Sequence, residues 1–452
     1  MSKPVMISVS GIRGIVGEGL SPELIVRYAA AVGTYLGRGK IMVGRDSRVT
    51  GDMVKHAVFS GLMSVGCDPV DLGVCSTPTV EMAVKNSDAV GGIIVTASHN
   101  PVEWNALKLL SHEGIFLTAE QGAQVKAIVE QDRYRYVSYA EIGHLSNQSD
   151  ATENHLRAIL DLSYVDVDSI RKRKFKVVYD CVNGAGGTIL PPLFEALGCD
   201  VIPLNPEPTG LFAHNPEPRP ENLKELCLAV QTHGAEVGFA VDPDVDRLAI
   251  VADNGEFIGE ENTITLITQL MLSIQKGPVA VNLSTTRAVE DVARAAGCDA
   301  YRSPVGEIHV VQKMKEVNAV IGGEGNGGVI LPELHLGRDA PVGIALMLQY
   351  LLTSGKTVTE LWQALPQYSM IKEKIEIGSA NPDEILRQIE TNHASDSLNQ
   401  DDGIKIDFPE GWVHIRKSNT EPIIRIIAEG ETESKTRALC DRFIREIKDL
   451  MR

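Results

Sequence analysis

Short apolar runs recur along the first three quarters of the chain, each followed by a stretch that reads as an amphipathic helix. Lys40-Ile41-Met42-Val43-Gly44 precedes the segment Asp52 to Val65. Phe175-Lys176-Val177-Val178-Tyr179 precedes Thr188 to Leu197, and Pro278-Val279-Ala280-Val281 precedes Thr285 to Ala296. All three stretches close on the same tripeptide, Gly-Cys-Asp, at Gly66, Gly198 and Gly297. Glycine just past the last turn suits the left-handed conformation that caps a helix. Apolar run, helix, glycine and a second apolar run predict a right-handed βαβ unit. The cysteine of each copy is expected to be a small buried residue.

Each repeat carries one more predicted strand, and each of these runs into an unusual loop. Gly91-Gly92-Ile93-Ile94-Val95 leads into Thr96-Ala97-Ser98-His99-Asn100-Pro101. Val237-Gly238-Phe239-Ala240-Val241, read as a parallel strand buried on both faces, leads into Asp242-Pro243-Asp244-Val245-Asp246-Arg247. Asn318-Ala319-Val320-Ile321-Gly322 leads into Gly323-Glu324-Gly325-Asn326-Gly327-Gly328. Ligands of α/β folds sit where strands leave the sheet, so three loops of different chemistry share one kind of position. From about Met370 the rhythm changes. Trp412 to Ile415 and Ile423 to Ile427 read as antiparallel strands, and Leu439, Phe443, Ile447 and Leu450 mark one face of a last helix. The expected architecture is α/β: three tandem related α/β domains with βαβ mixed sheets, plus a C-terminal α+β domain, around a central cleft. The expected boundaries are 1–150, 151–255, 256–368 and 369–452, with a linker near Leu365 to Lys372. Asn205 to Asn222, rich in Pro and Asn, reads as a long surface loop.

Composition narrows the function classes. At 452 residues and 43% hydrophobic content the chain can build several cores. A net charge of −17 argues against a nucleic-acid partner. An acidic chain that binds an anionic substrate must gather its Lys and Arg in the site. The seven cysteines include no Cys-x-x-Cys pair, which suits a reducing compartment. The opening MSKPVMISVSGIRG has no apolar stretch of signal-peptide length, and no apolar run is long enough to span a membrane. A cytoplasmic protein without membrane partners is expected.

The loops suggest chemistry. Asp242, Asp244 and Asp246 would repel one another unless a cation lay between them, and oxygen-only ligands suit Mg²⁺. A calcium loop of the EF-hand kind would need Gly and Glu where Arg247 and Asp253 stand; a solvated acidic turn is the plainer alternative. Ser98 reads either as a turn serine or as a hydroxyl that carries a phosphoryl group opposite that metal. Lys108 reads as a surface lysine, or as an acid and base whose pKa nearby cations such as Arg13 would lower. Glycines around Glu324 would permit close approach of a ligand, whose paired hydroxyls one carboxylate can bind. Arg416-Lys417-Ser418-Asn419-Thr420-Glu421-Pro422, with Arg425, suits a phosphate that is not reacting; a polar hairpin turn is the alternative.

Together, TASHNP, DPDVDR, GEGNGG and RKSNTEPIIR, in that order, resemble the α-D-phosphohexomutase superfamily, which includes phosphoglucomutase, phosphomannomutase and phosphoglucosamine mutase. The resemblance covers nearly the whole chain. It implies a phosphorylated Ser98, with Lys108, Arg13 and His99 in the catalytic group. It implies Mg²⁺ on Ser98, Asp242, Asp244 and Asp246, with Arg247 on the substrate side. Glu324 and Asn326 would face sugar hydroxyls, and Arg416, Ser418, Asn419, Thr420 and Arg425 would hold phosphate. The implied reaction moves phosphate between O6 and O1 of a hexose phosphate through a hexose 1,6-bisphosphate, which also serves as activator. Many relatives have Glu-x-Ser-Gly-His in the sugar loop. Here Gly328 replaces the histidine, which shifts acid–base work toward Lys108. The GEGNGG form points to glucosamine 6-phosphate as substrate, with glucose or mannose phosphates as the alternative. A serine phosphatase and a non-catalytic sugar-phosphate binder are the rival classes. A monomer or homodimer is expected, with a hinge that lets the fourth domain close over the bisphosphate.

Overall fold

The computed structural model describes residues 5–8, 11–378, 380–418 and 423–451. Three α/β regions are followed by an antiparallel C-terminal region, and the chain forms two compact units: Met1–Leu270 with Asn326–Trp362, and Met271–Gly325 with Gln363–Arg452.

The repeated pattern in the sequence becomes the same local structure three times. Lys40–Arg45 and Asp68–Val74 pair in parallel across the helix Gly51–Ser64. Lys176–Asp180 and Asp200–Leu204 do so across Gly186–Ala196. Val279–Asn282 and Ala300–Ser303 do so across Ala288–Ala295. Gly66, Gly198 and Gly297 follow the helix ends with φ of 78°, 64° and 71°, a conformation that costs glycine little. Of the three repeat cysteines only Cys67 is fully buried; Cys199 and Cys298 are half-buried, and all are free thiols.

In the first unit a seven-stranded sheet runs, in spatial order, through Met6–Ser8, Gly11–Ile15, Trp104–Ser111, Gly91–Val95, Lys40–Arg45, Asp68–Val74 and Ser146–Asn147. Its core is built by Ile41, Val43, Ile93, Val95, Leu107 and Leu109 against Tyr28, Val32, Val58 and Leu62 of two helices. A four-stranded sheet follows, ordered Leu248–Ala252, Val237–Val241, Lys176–Asp180, Asp200–Leu204. Val237–Val241 is buried at every position, as its unbroken apolar run requires. Only one of its neighbours is parallel, however: Leu248–Ala252 runs antiparallel to it. The acidic loop is therefore a hairpin connection. The serine loop likewise joins antiparallel neighbours, Gly91–Val95 and Trp104–Ser111.

In the second unit, Ala300–Ser303, Val279–Asn282 and Ile321–Glu324 form parallel pairs. An antiparallel sheet is ordered Ser369–Glu376, Ile423–Gly430, Gly411–Lys417, Ile404–Phe408, Ser397–Asn399. The helix Glu433–Leu450 packs on it through Leu439, Phe443 and Ile447. Ser369 to Lys372, expected to be linker, is already strand.

Candidate active site

The first unit brings Ser98 and the three aspartates together. Ser98 Oγ donates to Asp242 Oδ2 at 2.8 Å. Ser98, Asp242, Asp244 and Asp246 are 4% exposed or less. Two non-glycine residues in these hairpins are left-handed, Ser98 at φ 49° and Val245 at φ 65°. A β-branched residue such as Val245 accepts that conformation only when its surroundings hold it there. Here its N–H bonds Asp242 O at 3.0 Å and its carbonyl accepts from Ala340 N at 3.3 Å.

Each aspartate commits at least one oxygen to the surrounding protein. Asp242 Oδ1 accepts from the backbone N–H groups of Asp246 and Arg247, both at 3.1 Å. Asp244 Oδ2 accepts from Lys108 Nζ at 2.7 Å and Thr77 Oγ1 at 2.6 Å. Asp246 Oδ2 accepts from Arg338 Nη2 at 2.6 Å and Lys108 Nζ at 3.2 Å. Asp244 Oδ1 and Asp246 Oδ1 are buried and accept no hydrogen bond, with Arg247 Nε 3.9 Å from the latter. Bare carboxylate oxygens in a dry site are costly unless a cation meets them. Together with Asp242 Oδ2 they make an all-oxygen set that fits a hard divalent ion.

The electrostatics differ from the sequence expectation at one residue. Burial alone would lower the Lys108 pKa, but Asp244 and Asp246 outweigh it and raise the pKa above 10.5. The sequence suggested the opposite, a pKa lowered by neighbouring cations. The reason is placement: Lys108 is bracketed by two carboxylates, while Arg13 turns away to Asn100 Oδ1 at 2.8 Å. His99, whose Nδ1 lies 3.3 Å from Ser98 Oγ, is pushed well below 6.5 by burial and by Arg247 and Arg13. Burial and the neighbouring aspartates raise the Asp242 pKa, as one of three crowded carboxylates must.

The serine loop has a support that sequence reading missed. Arg48 is fully buried and donates from every guanidinium nitrogen. Nε bonds Asp46 Oδ2 at 3.0 Å; Nη1 bonds the carbonyls of Pro101 and Trp104 at 2.6 and 3.0 Å. Nη2 bonds the carbonyls of Ser98 and Asn100 at 2.6 and 2.7 Å. Asp46 Oδ2 also accepts from Thr96 Oγ1, which in turn accepts from Ser98 N. The loop expected at the surface braces this arginine: Phe212 lies under its guanidinium at 4.9 Å. At Gly210 an added Cβ would stand 2.1 Å from Ser47 O, so the approach is open to glycine alone. The available signal was position. Asp46-Ser47-Arg48 leaves the strand Lys40–Arg45 much as the other loops leave theirs. Thr77 and Arg338 were missed because nothing in their local sequence marks them.

The other expected residues lie mainly in the second unit. Glu324 Oε1 accepts from Asn282 Nδ2 at 2.8 Å and from Gly306 N at 3.2 Å, which orients the carboxylate. Arg416 and Arg425 stand directly opposite each other on neighbouring strands, and Lys374 continues the row. Like charges in cross-strand register are unfavourable without an anion between them. Arg416 Nε also lies 3.5 Å from Asp402 Oδ2, and Ser418 N bonds Ile423 O at 3.0 Å. Asn419 and Thr420 lie outside the described residues. Asn326 belongs to the first unit, where its Oδ1 accepts from Gly328 N at 3.2 Å.

No helix among the described residues is long and apolar enough to cross a membrane. A Methanopyrus kandleri protein named as a probable phosphoglucosamine mutase is 39% identical over 440 residues, covering 96% of both chains. A Thermococcus kodakarensis protein named phosphoglucomutase/phosphomannomutase is 38% identical over 450 residues, covering 98% of both. The crystal structure of a phosphoglucomutase/phosphomannomutase family protein from Burkholderia thailandensis matches with a TM-score of 0.86 at 26% identity, covering 98% of each chain. Models of the four phosphoglucomutase/phosphomannomutase domains match residues 6–135, 153–255, 259–369 and 372–446 in order, three α/β/α domains and a C-terminal one. The chain belongs to the phosphoglucomutase/phosphomannomutase family of phosphohexomutases, which are isomerases.

Proposed function

We propose that this phosphohexomutase interconverts glucosamine 6-phosphate and glucosamine 1-phosphate through a phosphorylated Ser98. The observation that carries the reading is Ser98 Oγ, 2.8 Å from Asp242 in a buried aspartate set with bare oxygens.

The phosphoryl group on Ser98 Oγ passes to the free hydroxyl of the bound hexose phosphate. The hydroxyl oxygen bonds to phosphorus, the Ser98 Oγ–P bond breaks, and the hydroxyl proton is taken up in the site. The sugar, now a 1,6-bisphosphate, presents its other phosphate to Ser98. That phosphoryl group returns to Oγ and leaves the isomeric monophosphate, so serine ends as it began. His99, beside Ser98 Oγ, and Lys108, between Asp244 and Asp246, are placed to move the proton. Ser98, Asp242, Asp244 and Asp246 would hold Mg²⁺, which would neutralise charge on the group in transfer. Arg48 touches no reacting atom; it positions the loop. Arg13 and Arg247 add positive charge where the substrate phosphate arrives.

Four segments, 1–150, 151–255, 256–368 and 369–452, supply one loop each. Glu324 and Asn326 bind sugar hydroxyls. Arg416, Ser418 and Arg425, with Asn419 and Thr420, hold whichever phosphate is idle, which a hydrolase would not need. Glucose and mannose phosphates are the second reading, because relatives of nearly equal similarity bear the two names. Loss of one hydrogen bond to a sugar hydroxyl in a buried site costs about 1–3 kcal/mol, so discrimination can be modest.

The test is kcat/KM for glucosamine 6-phosphate, glucose 1-phosphate and mannose 1-phosphate, each with Mg²⁺ and a catalytic amount of its 1,6-bisphosphate. Glucosamine 6-phosphate is expected to rank first and Ser98→Ala to be silent. A higher rank for glucose or mannose phosphate overturns the substrate. Activity in Ser98→Ala overturns the mechanism.

A further inference from the structure

A second cluster of ionisable groups lies in the first unit, away from the aspartate set. His155 comes from the helix Ala151–Leu160, Thr79 and Glu81 from Thr77–Lys85, and His335 and Asp339 from the segment leading into Ala340–Ser354. All five are at most 2% exposed. Both imidazoles aim Nε2 at one oxygen: His155 is 2.8 Å and His335 3.0 Å from Asp339 Oδ2. The other carboxylate oxygen, Asp339 Oδ1, accepts from Val342 N at 3.0 Å and caps the helix.

The far side of each ring is informative. His155 Nδ1 is 3.0 Å from Thr79 Oγ1, which pairs with Ser76 Oγ at 2.7 Å. His335 Nδ1 faces Glu81 Oε2 at 3.5 Å and forms no hydrogen bond. If both rings are neutral and donate from Nε2 to Asp339, His335 presents an Nδ1 lone pair to a carboxylate. A divalent ion at the shared point removes the conflict. The Nε2 lone pairs and Asp339 Oδ2 then bind the ion, and each Nδ1–H turns to an oxygen, Glu81 or Thr79. That is how metal-bound histidines are commonly oriented. Gly337 makes room for the Glu81 carboxylate, since a Cβ there would stand 1.9 Å from Oε2.

We propose that His155, His335 and Asp339 form a second metal site, structural rather than catalytic, for a borderline divalent ion such as Zn²⁺, with Glu81 and Thr79 orienting the imidazoles. Two imidazoles and a carboxylate select such an ion over Mg²⁺. The site joins three segments far apart in sequence. It also flanks the aspartate set: Thr77, two residues before Thr79, bonds Asp244, and Arg338, next to Asp339, bonds Asp246. The inference goes beyond the proposed reaction and stands without it.

The experiment is metal analysis of the full chain expressed in zinc-supplemented medium and dialysed against Mg²⁺, which occupies the aspartate set. One zinc per chain is expected in the wild type. It is expected to persist in Asp244→Asn and to be lost in His155→Gln and His335→Gln. Expression with cobalt in place of zinc should give visible absorption that disappears in the same two variants. Folded wild type without stoichiometric zinc or cobalt overturns the proposal, as does metal that survives both histidine variants. NMR detection of a doubly protonated His335 ring in the wild type overturns it as well, since a proton would then be the missing cation.

Discussion

The loops assigned to phosphoryl transfer and the residues assigned to holding the ligand are built in opposite ways. Around Ser98 the three aspartates are buried and four of their six oxygens are held by hydrogen bonds within the protein. Arg48 alone fixes four carbonyls and a carboxylate. In the C-terminal sheet, by contrast, Arg425 and Lys374 are exposed and Arg416 is only half-buried. The difference follows from what each must do. A reacting hydroxyl needs one geometry, and small displacements there are expensive in rate. In the proposed reaction, a group that grips either end of a turning sugar needs charge with freedom to adjust. Ser98 and Val245 accordingly carry left-handed backbone, which a dense network can hold.

That contrast can be broken at several points. The largest effect is expected from Asp244→Asn. It removes charge from the aspartate set and from the Lys108 pair, and leaves a buried ammonium with less compensation. Turnover should fall by roughly 10²- to 10³-fold, on the scale of losing a main electrostatic contact to a transferring group, and added Mg²⁺ should not restore it. Arg48→Lys comes next. A lysine can satisfy at most three of the five acceptors, and buried carbonyls left bare cost about 1–3 kcal/mol each. We expect kcat to drop roughly 10- to 100-fold with KM nearly unchanged, because the serine loop is displaced while the phosphate grip is intact. If KM rises and kcat holds, Arg48 is serving the ligand and not the loop.

On the gripping side, Arg425→Ala should do the reverse. One exposed cation from a row of three should raise KM about 5- to 30-fold, on the order of 1–2 kcal/mol, the low end for a hydrogen bond to a charged group because solvent screens an exposed side chain, with kcat within a few-fold of wild type. The increase should shrink at high ionic strength.

The smallest effect concerns the brace behind Arg48. His214 Nε2 lies 2.9 Å from Asp180 Oδ2; burial works against its charge, but the carboxylate prevails and raises its pKa above 6.5. A raised pKa in the folded state means stability that is fully present below 6.5 and is lost as pH climbs through the folded value. The thermal midpoint of wild type should decline over that window, and His214→Gln should lack this component. A pH response identical in the two proteins would remove His214 from the brace.

How much of this was legible beforehand depended on whether a signal was local. The three βαβ repeats announced themselves through Gly66, Gly198 and Gly297, because a glycine after a helix has one strong physical reason to be there. Ser98 and the aspartates stood out as candidates because each belongs to a six-residue run at a strand exit, 96–101 and 242–247. Lys108 was singled out as a candidate, but its electrostatics were inverted, since sequence could not reveal that it lies between Asp244 and Asp246. Arg48 is near no motif and acts on carbonyls about 50 residues away, so it went unseen. His155, His335 and Asp339 meet only in three dimensions. The antiparallel strand Leu248–Ala252 was missed because a run buried at every position does not report its neighbours' direction.

The most direct measurement is the mass and phosphopeptide map of the protein after brief exposure to a hexose 1,6-bisphosphate. One phosphoryl group per chain is expected, on Ser98, that transfers to added hexose monophosphate and is absent from Ser98→Ala. A chain that turns over substrate without acquiring that group, or that carries it on another residue, would contradict it.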